Sequence, residues 1–146
     1  MPPCEIDVDA CPKFLPLVKR LKKKYRRIEQ DLKQVFEEIE RDYETAAGAA
    51  PIPGWEGTVW KHRCGSTDMR SGRSGGFRII SMLVKDRDPH VLFPLLIYAK
   101  PERTDVTAVE IAEGVKALRR ELAMLEGGDQ LGLGEGFDSG AADATQ

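Results

Sequence analysis

Two histidines and three cysteines are few for a chain of 146 residues. Cys4, Cys11 and Cys64 are odd in number and lack CxxC spacing, which supports neither a disulfide framework nor a zinc site. Reduced thiols in a cytoplasm are the expectation. No acidic cluster suggests a magnesium site. The run GRSGG at 72–76 lacks the lysine and the strand-to-helix context of a phosphate-binding P-loop, so no cofactor is expected. No segment approaches the roughly 18 apolar residues that span a bilayer. The N-terminus has no basic stretch leading into an apolar one, so neither secretion nor membrane spanning is expected.

The length fits one domain with a small core. The formal net charge of −2 hides strong segregation. From Lys13 to Arg27 every charged residue is basic; from Glu29 to Glu44 acids dominate; from Gly57 to Arg103 bases dominate again. After Gly127 come Asp129, Glu135, Asp138 and Asp143 with no base. Distribution, rather than the sum, points to a polyanionic partner. Residues 1–126 read as the domain and 127–146 as a flexible, acidic, Gly-rich tail.

The stretch 57–103 organises the chain. Thr58–Cys64, Phe77–Val84 and Val91–Ala99 are rich in β-branched and aromatic residues and separated by Gly, Ser, Asp and Pro, the punctuation of an antiparallel sheet. Strand alternation places Lys61 and Arg63 on one face, and Trp60 and His62 on the other. Arg78 follows Gly75, Gly76 and Phe77; Tyr98 and Lys100 share parity at the end of the third run; Arg70, Arg73 and Arg103 sit in flanking loops. Were the three strands neighbours, these cations would converge on one surface suited to phosphate. Pro94, inside the third run, predicts a bulge or an unpaired edge.

Phe14, Val18, Leu21 and Tyr25 recur at helical steps, and Ile28, Leu32, Val35 and Ile39 continue the row without a Gly or Pro between Lys24 and Ile28. On its own the row reads as one long helix, yet a solitary helix of about 30 residues would leave much of its apolar stripe uncovered. Thr45–Gly57 reads as a linker. Val106 to Leu125 gives a last helix with Thr104 or Asp105 as its N-cap.

The pattern VWKHR, a Gly-rich loop, SGGFRII and then LLIYAKPER resembles the RelE/HigB-like toxins of bacterial type II toxin–antitoxin modules, over about residues 4 to 110. The resemblance implies an α+β fold: a small antiparallel sheet with a first strand at Cys4–Val8, two N-terminal helices packed on one face as a hairpin turning near Lys24–Ile28, and a C-terminal helix. It implies a cytoplasmic endoribonuclease that cuts mRNA, commonly on the ribosome. A cognate antitoxin would bind it, with a heterotetramer as the possible assembly. Lys61, Arg63, Arg78, Tyr98 and Lys100 are the catalytic candidates; Arg70, Arg73, Arg103, Lys22, Lys23 and Lys24 are candidates for holding RNA.

RNA is cut without a metal when its 2′-OH attacks the adjacent phosphorus, so the protein must orient the strand, move two protons and stabilise added negative charge. A planar guanidinium at Arg78 suits two phosphate oxygens. The plainer reading of Arg78, Lys61 and Arg63 is a solvated strand face, and that of Tyr98 is a core aromatic; His62, Cys64, Trp55 and Trp60 read as packing residues, and His90 as a turn residue. The chain departs from RelE in having Pro101 where that toxin has an arginine, and Thr107 where it has a tyrosine implicated in catalysis. Two rivals stand beside the ribonuclease: a ParE-like toxin that poisons gyrase without being an enzyme, and an inactive relative that only binds.

Overall fold

The computed structural model describes residues 3–69 and 75–130, with side chains described up to 126. In chain order these are β1 (Cys4–Ile6), α1 (Phe14–Lys22), α2 (Ile28–Arg41), a 3₁₀ turn (Ala46–Gly48), β2 (Ala50–Pro51), β3 (Val59–Cys64), β4 (Phe77–Val84), β5 (His90–Ala99) and α3 (Ala108–Gln130). The sheet runs β1-β5-β4-β3-β2. Strand β1 pairs parallel with β5, and the other pairings are antiparallel. The fold is α+β. Among the described residues no helix is long and apolar enough to cross a membrane.

The apolar row from Phe14 to Ile39 is buried along its length, but the chain breaks it into a hairpin. The Tyr25 N–H still donates to Leu21 O at 2.8 Å, and the Ile28 N–H then donates back to Tyr25 O at 3.0 Å. This turn tucks the Tyr25 ring edge-on against Phe77, at 5.3 Å and 85°. The amide that opens α2 finds its acceptor far along the chain, and a side chain of its first turn holds the same loop. Asp68 accepts from the Arg27 N–H at 2.8 Å. Asp31, in the first turn, accepts from the N–H and hydroxyl of Thr67 at 3.0 and 2.7 Å. Long-range packing and capping therefore override a local pattern that contains no breaker.

Helices α1 and α2 cover the sheet face that carries Trp60, His62, Cys64, Phe77 and Ile79; Tyr43 contributes a ring against Trp60 at 5.5 Å. Side chains such as Phe14, Ile28, Phe77 and Phe93 are fully buried, each contributing about 1.5–3 kcal/mol by leaving water. Helix α3 lies against β5 on the other face, burying Ile111, Val115 and Leu118. A Cβ on Gly114 would stand 3.4 Å from Leu95, a close approach of helix to strand.

Several expectations shift. The linker 45–57 contains the 3₁₀ turn and the edge strand β2, paired with Lys61 and Trp60. The proline does mark a bulge: Ser81 pairs with Pro94 and Ile80 with Leu96, leaving Leu95 unmatched. Strand β1 pairs only with residues 90–92, so the second half of β5 lacks a β1 neighbour. Helix α3 begins at Ala108, not at 105 or 106, because Thr107 and Glu110 form a reciprocal capping box: Glu110 N–H to Thr107 Oγ1 at 3.1 Å and Thr107 N–H to Glu110 Oε1 at 2.8 Å. It continues to Gln130, four residues into the expected tail, since each added residue contributes one more backbone bond even through Gly127 and Gly128. Residues 131–146 of that tail lie outside the described residues.

Candidate active site

Register does what parity alone could not. Arg63 of β3 is the cross-strand partner of Arg78 of β4, and Arg78 is the partner of Tyr98 of β5. Partners in register share a face, so the three side chains form a row across the sheet. Lys61 stands one step along on the same face, opposite Ile80. Four of the five catalytic candidates are thereby brought together, on the face opposite the α1–α2 layer.

Arg78 is only 6 % exposed, and donates to the carbonyls of Gly75 and Phe77 at 3.2 Å each. Burial, and then the neighbouring Arg63, lower its pKa, while Tyr98 opposes them. Like charges in directly opposed strand positions repel one another. Arg63 is exposed, its aliphatic stem lying over Gly48 of the 3₁₀ turn.

Tyr98 is buried, and its pKa is raised by that burial against the opposing pull of Lys61. Its hydroxyl lies 3.3 Å from Thr104 O and 3.5 Å from Asp105 Oδ1. Lys61 Nζ lies 3.2 Å from the same Asp105 oxygen. Asp105 thus joins the candidate site, although its place before an apolar row marks it as a helix-cap residue. The capping-box signature at Thr107 and Glu110 was the sequence signal that would have released it. Burial tends to raise the Asp105 carboxyl, but the Val106 N–H, Lys61 and Tyr98 together hold it below the usual carboxylate range.

The remaining candidates divide. Lys100 sits just past β5, its ammonium 3.4 Å from Thr104 O. Arg103 is clamped by Glu110 through two bonds of 3.0 and 2.7 Å, and lies 5.8 Å from the Tyr98 ring. Lys22, Lys23 and Lys24 are exposed at the end of α1 and in the turn that follows; Lys22 pairs with Glu29 at 2.8 Å. That turn meets the sheet at Phe77, beside Arg78, but from the opposite face. Arg70 and Arg73 lie outside the described residues. His62 is fully buried in the helix-facing layer, with Nε2 2.8 Å from Tyr43 O. A groove of about 560 Å³ follows the open half of β5 between α1 and the start of α3, with Arg20, Tyr98 and Arg103 in its lining.

Chemically, this face offers a buried guanidinium, an exposed guanidinium and an ammonium for phosphate oxygens, a neutral phenol as proton donor, and a carboxylate. Compared with known proteins, the chain matches no family model, no curated protein sequence and no solved structure.

Proposed function

We propose that the chain is a RelE/HigB-like, toxin-type endoribonuclease that cuts mRNA by assisting attack of the RNA's own 2′-OH. The observation that carries the reading is the cross-strand row Arg63, Arg78 and Tyr98, with Lys61 beside it. In this reading Arg78 grips the oxygens of the scissile phosphate, and Arg63 holds the next phosphate along the strand. Lys61 neutralises the charge that develops at phosphorus. Tyr98, a neutral phenol held by burial, gives its proton to the departing 5′ oxygen. The groove beside Tyr98 accepts an unpaired base, for which an aromatic ring is the usual platform.

The partners that follow are mRNA, the ribosome and a neutralising antitoxin protein. Lys22, Lys23 and Lys24 supply a second basic patch at the same end of the sheet, suited to ribosomal RNA. The decisive experiment maps new 5′ ends on a reporter mRNA in a translating extract, for the native chain and for Arg78→Ala. New ends that fall by about 10²–10³ in the variant support the reading. Arrested translation without new ends refutes it and transfers the search to a gyrase-type or purely binding target.

A further inference from the structure

We infer that Asp105 is the general base of this site, the group that takes the proton from the attacking 2′-OH; the inference rests on the ribonuclease reading. The two oxygens of its carboxylate are unlike. Oδ1 is anchored, accepting from the Val106 N–H at 2.8 Å, facing Lys61 Nζ at 3.2 Å and lying 3.5 Å from the Tyr98 hydroxyl. Oδ2 has no hydrogen-bond partner among the described residues, and the side chain is 61 % exposed. One oxygen fixes the orientation while the other faces outward beside the phosphate-binding row. A base needs that combination of a defined position and a free lone pair.

The other acceptors near the row are engaged or turned away. Lys61 and Tyr98 are donors here. Glu110 is held by Arg103 through both oxygens, and Glu102 accepts from the Tyr25 hydroxyl at 3.3 Å. His62 is buried on the opposite face, and His90 stands at the far end of β5, paired with Cys4. The groups facing Asp105 are Lys61 from β3, Tyr98 from β5, with Arg78 of β4 behind it, and the Arg103 Nε that donates to the Asp105 carbonyl at 2.9 Å. When a phosphate draws Lys61 toward itself, Asp105 loses its strongest charged partner and becomes more basic.

The step balances without any added reagent. The proton of the 2′-OH passes to Asp105 Oδ2 as the bond from the 2′ oxygen to phosphorus forms. The bond from phosphorus to the 5′ oxygen breaks, and that oxygen takes the Tyr98 proton. The products are a 2′,3′-cyclic phosphate and a free 5′-OH, and solvent returns each side chain to its starting state.

The test compares the native chain with Asp105→Asn and Asp105→Glu. Two quantities are read: the rate of cleavage of ribosome-bound mRNA, and the affinity for the same RNA carrying a 2′-deoxyribose at the cut site, which has no proton to give. The expected result is a 10²–10⁴-fold loss of rate in Asp105→Asn, with affinity for the deoxy analogue unchanged or tighter because one negative charge is gone. Asp105→Glu recovers at least a tenth of the native rate. Cleavage by Asp105→Asn within fivefold of the native chain overturns the assignment. Faster cleavage also overturns it and makes the carboxylate a plug that competes with phosphate. Loss of both rate and affinity reduces Asp105 to a structural contact. Should the native chain make no cuts, the ribonuclease reading itself fails, and this inference fails with it.

Discussion

Replacing Gly76 by alanine tests how the β3–β4 connection places Arg78. Gly76 has φ +25°, and a Cβ built there would stand 2.1 Å from the Cys64 carbonyl oxygen and 3.0 Å from its carbon. Both are backbone atoms at the end of β3, so no side-chain rotation relieves the contact. The positive φ alone costs a non-glycine residue about 1 kcal/mol. Moving the strand ends apart adds about 2 kcal/mol, the usual scale of overpacking, with the bond from the Lys100 N–H to Gly76 O (2.9 Å) at risk. The sum, about 3 kcal/mol, lowers the melting temperature by roughly 10 °C in a domain of this size. Gly54→Ala is the control, because Gly54 also has a positive φ (+92°) but nothing within 4 Å of its Cβ position. It is expected to lose only the conformational part, roughly 3 °C. The assay is thermal unfolding by circular dichroism on the native chain and both variants. Equal losses in the two would refute the steric argument at Gly76.

Other expected outcomes follow from single contacts. Asp31→Ala removes both acceptors of Thr67 and is expected to destabilise the chain by about 1–3 kcal/mol in urea unfolding; a loss under about 0.5 kcal/mol would show that these bonds do not tie the loop to α2. The Arg103 clamp pulls the Glu110 carboxyl down to about 2, so its contribution is present above 4.5 and is lost as the pH falls toward 2. Both partners are more than a third exposed, which keeps that contribution below about 1 kcal/mol; Glu110→Gln is expected to flatten the acid limb of stability against pH by that small amount. Burial lowers the His62 pKa below 6.5 despite the bond to Tyr43 O. The unfolded chain then binds the extra proton first, so stability is full above about pH 6.5 and falls below it. His62→Gln should remove that slope between pH 7 and 5, and an unchanged slope would assign it elsewhere. Burial raises the Cys4 and Cys11 thiols to about 12, so neither should react with an alkylating agent at pH 8 until the chain is unfolded.

Much of the geometry of the candidate site was legible in the residues. Period-two alternation placed Lys61 and Arg63 on one face and His62 on the other, and the structure keeps that separation. Pro94 marked the bulge because it cannot donate to a ladder. Asp105 was misread because a carboxylate just before an apolar periodic row looks like a cap, while the capping box two residues later performs that task. The fate of Arg103 was equally hidden, since its partner Glu110 becomes a neighbour only when the segment from 103 to 110 folds back on itself.

By itself the sequence determined the three long strands, their faces, the buried helical row and the cations that share a parity, because each of these depends on spacing along the backbone. The tertiary structure decided which strands are neighbours, and so which cations meet: Arg63, Arg78 and Tyr98 form a row only through the order β5-β4-β3. It also decided the break between α1 and α2, where nothing local stops the helix. There Tyr25 packs on Phe77, Asp68 accepts from the Arg27 N–H, and the Asp31 carboxylate holds Thr67, across about 40 residues of sequence. Contacts of that length are absent from any local pattern, because their energy is gained only once the chain has closed upon itself.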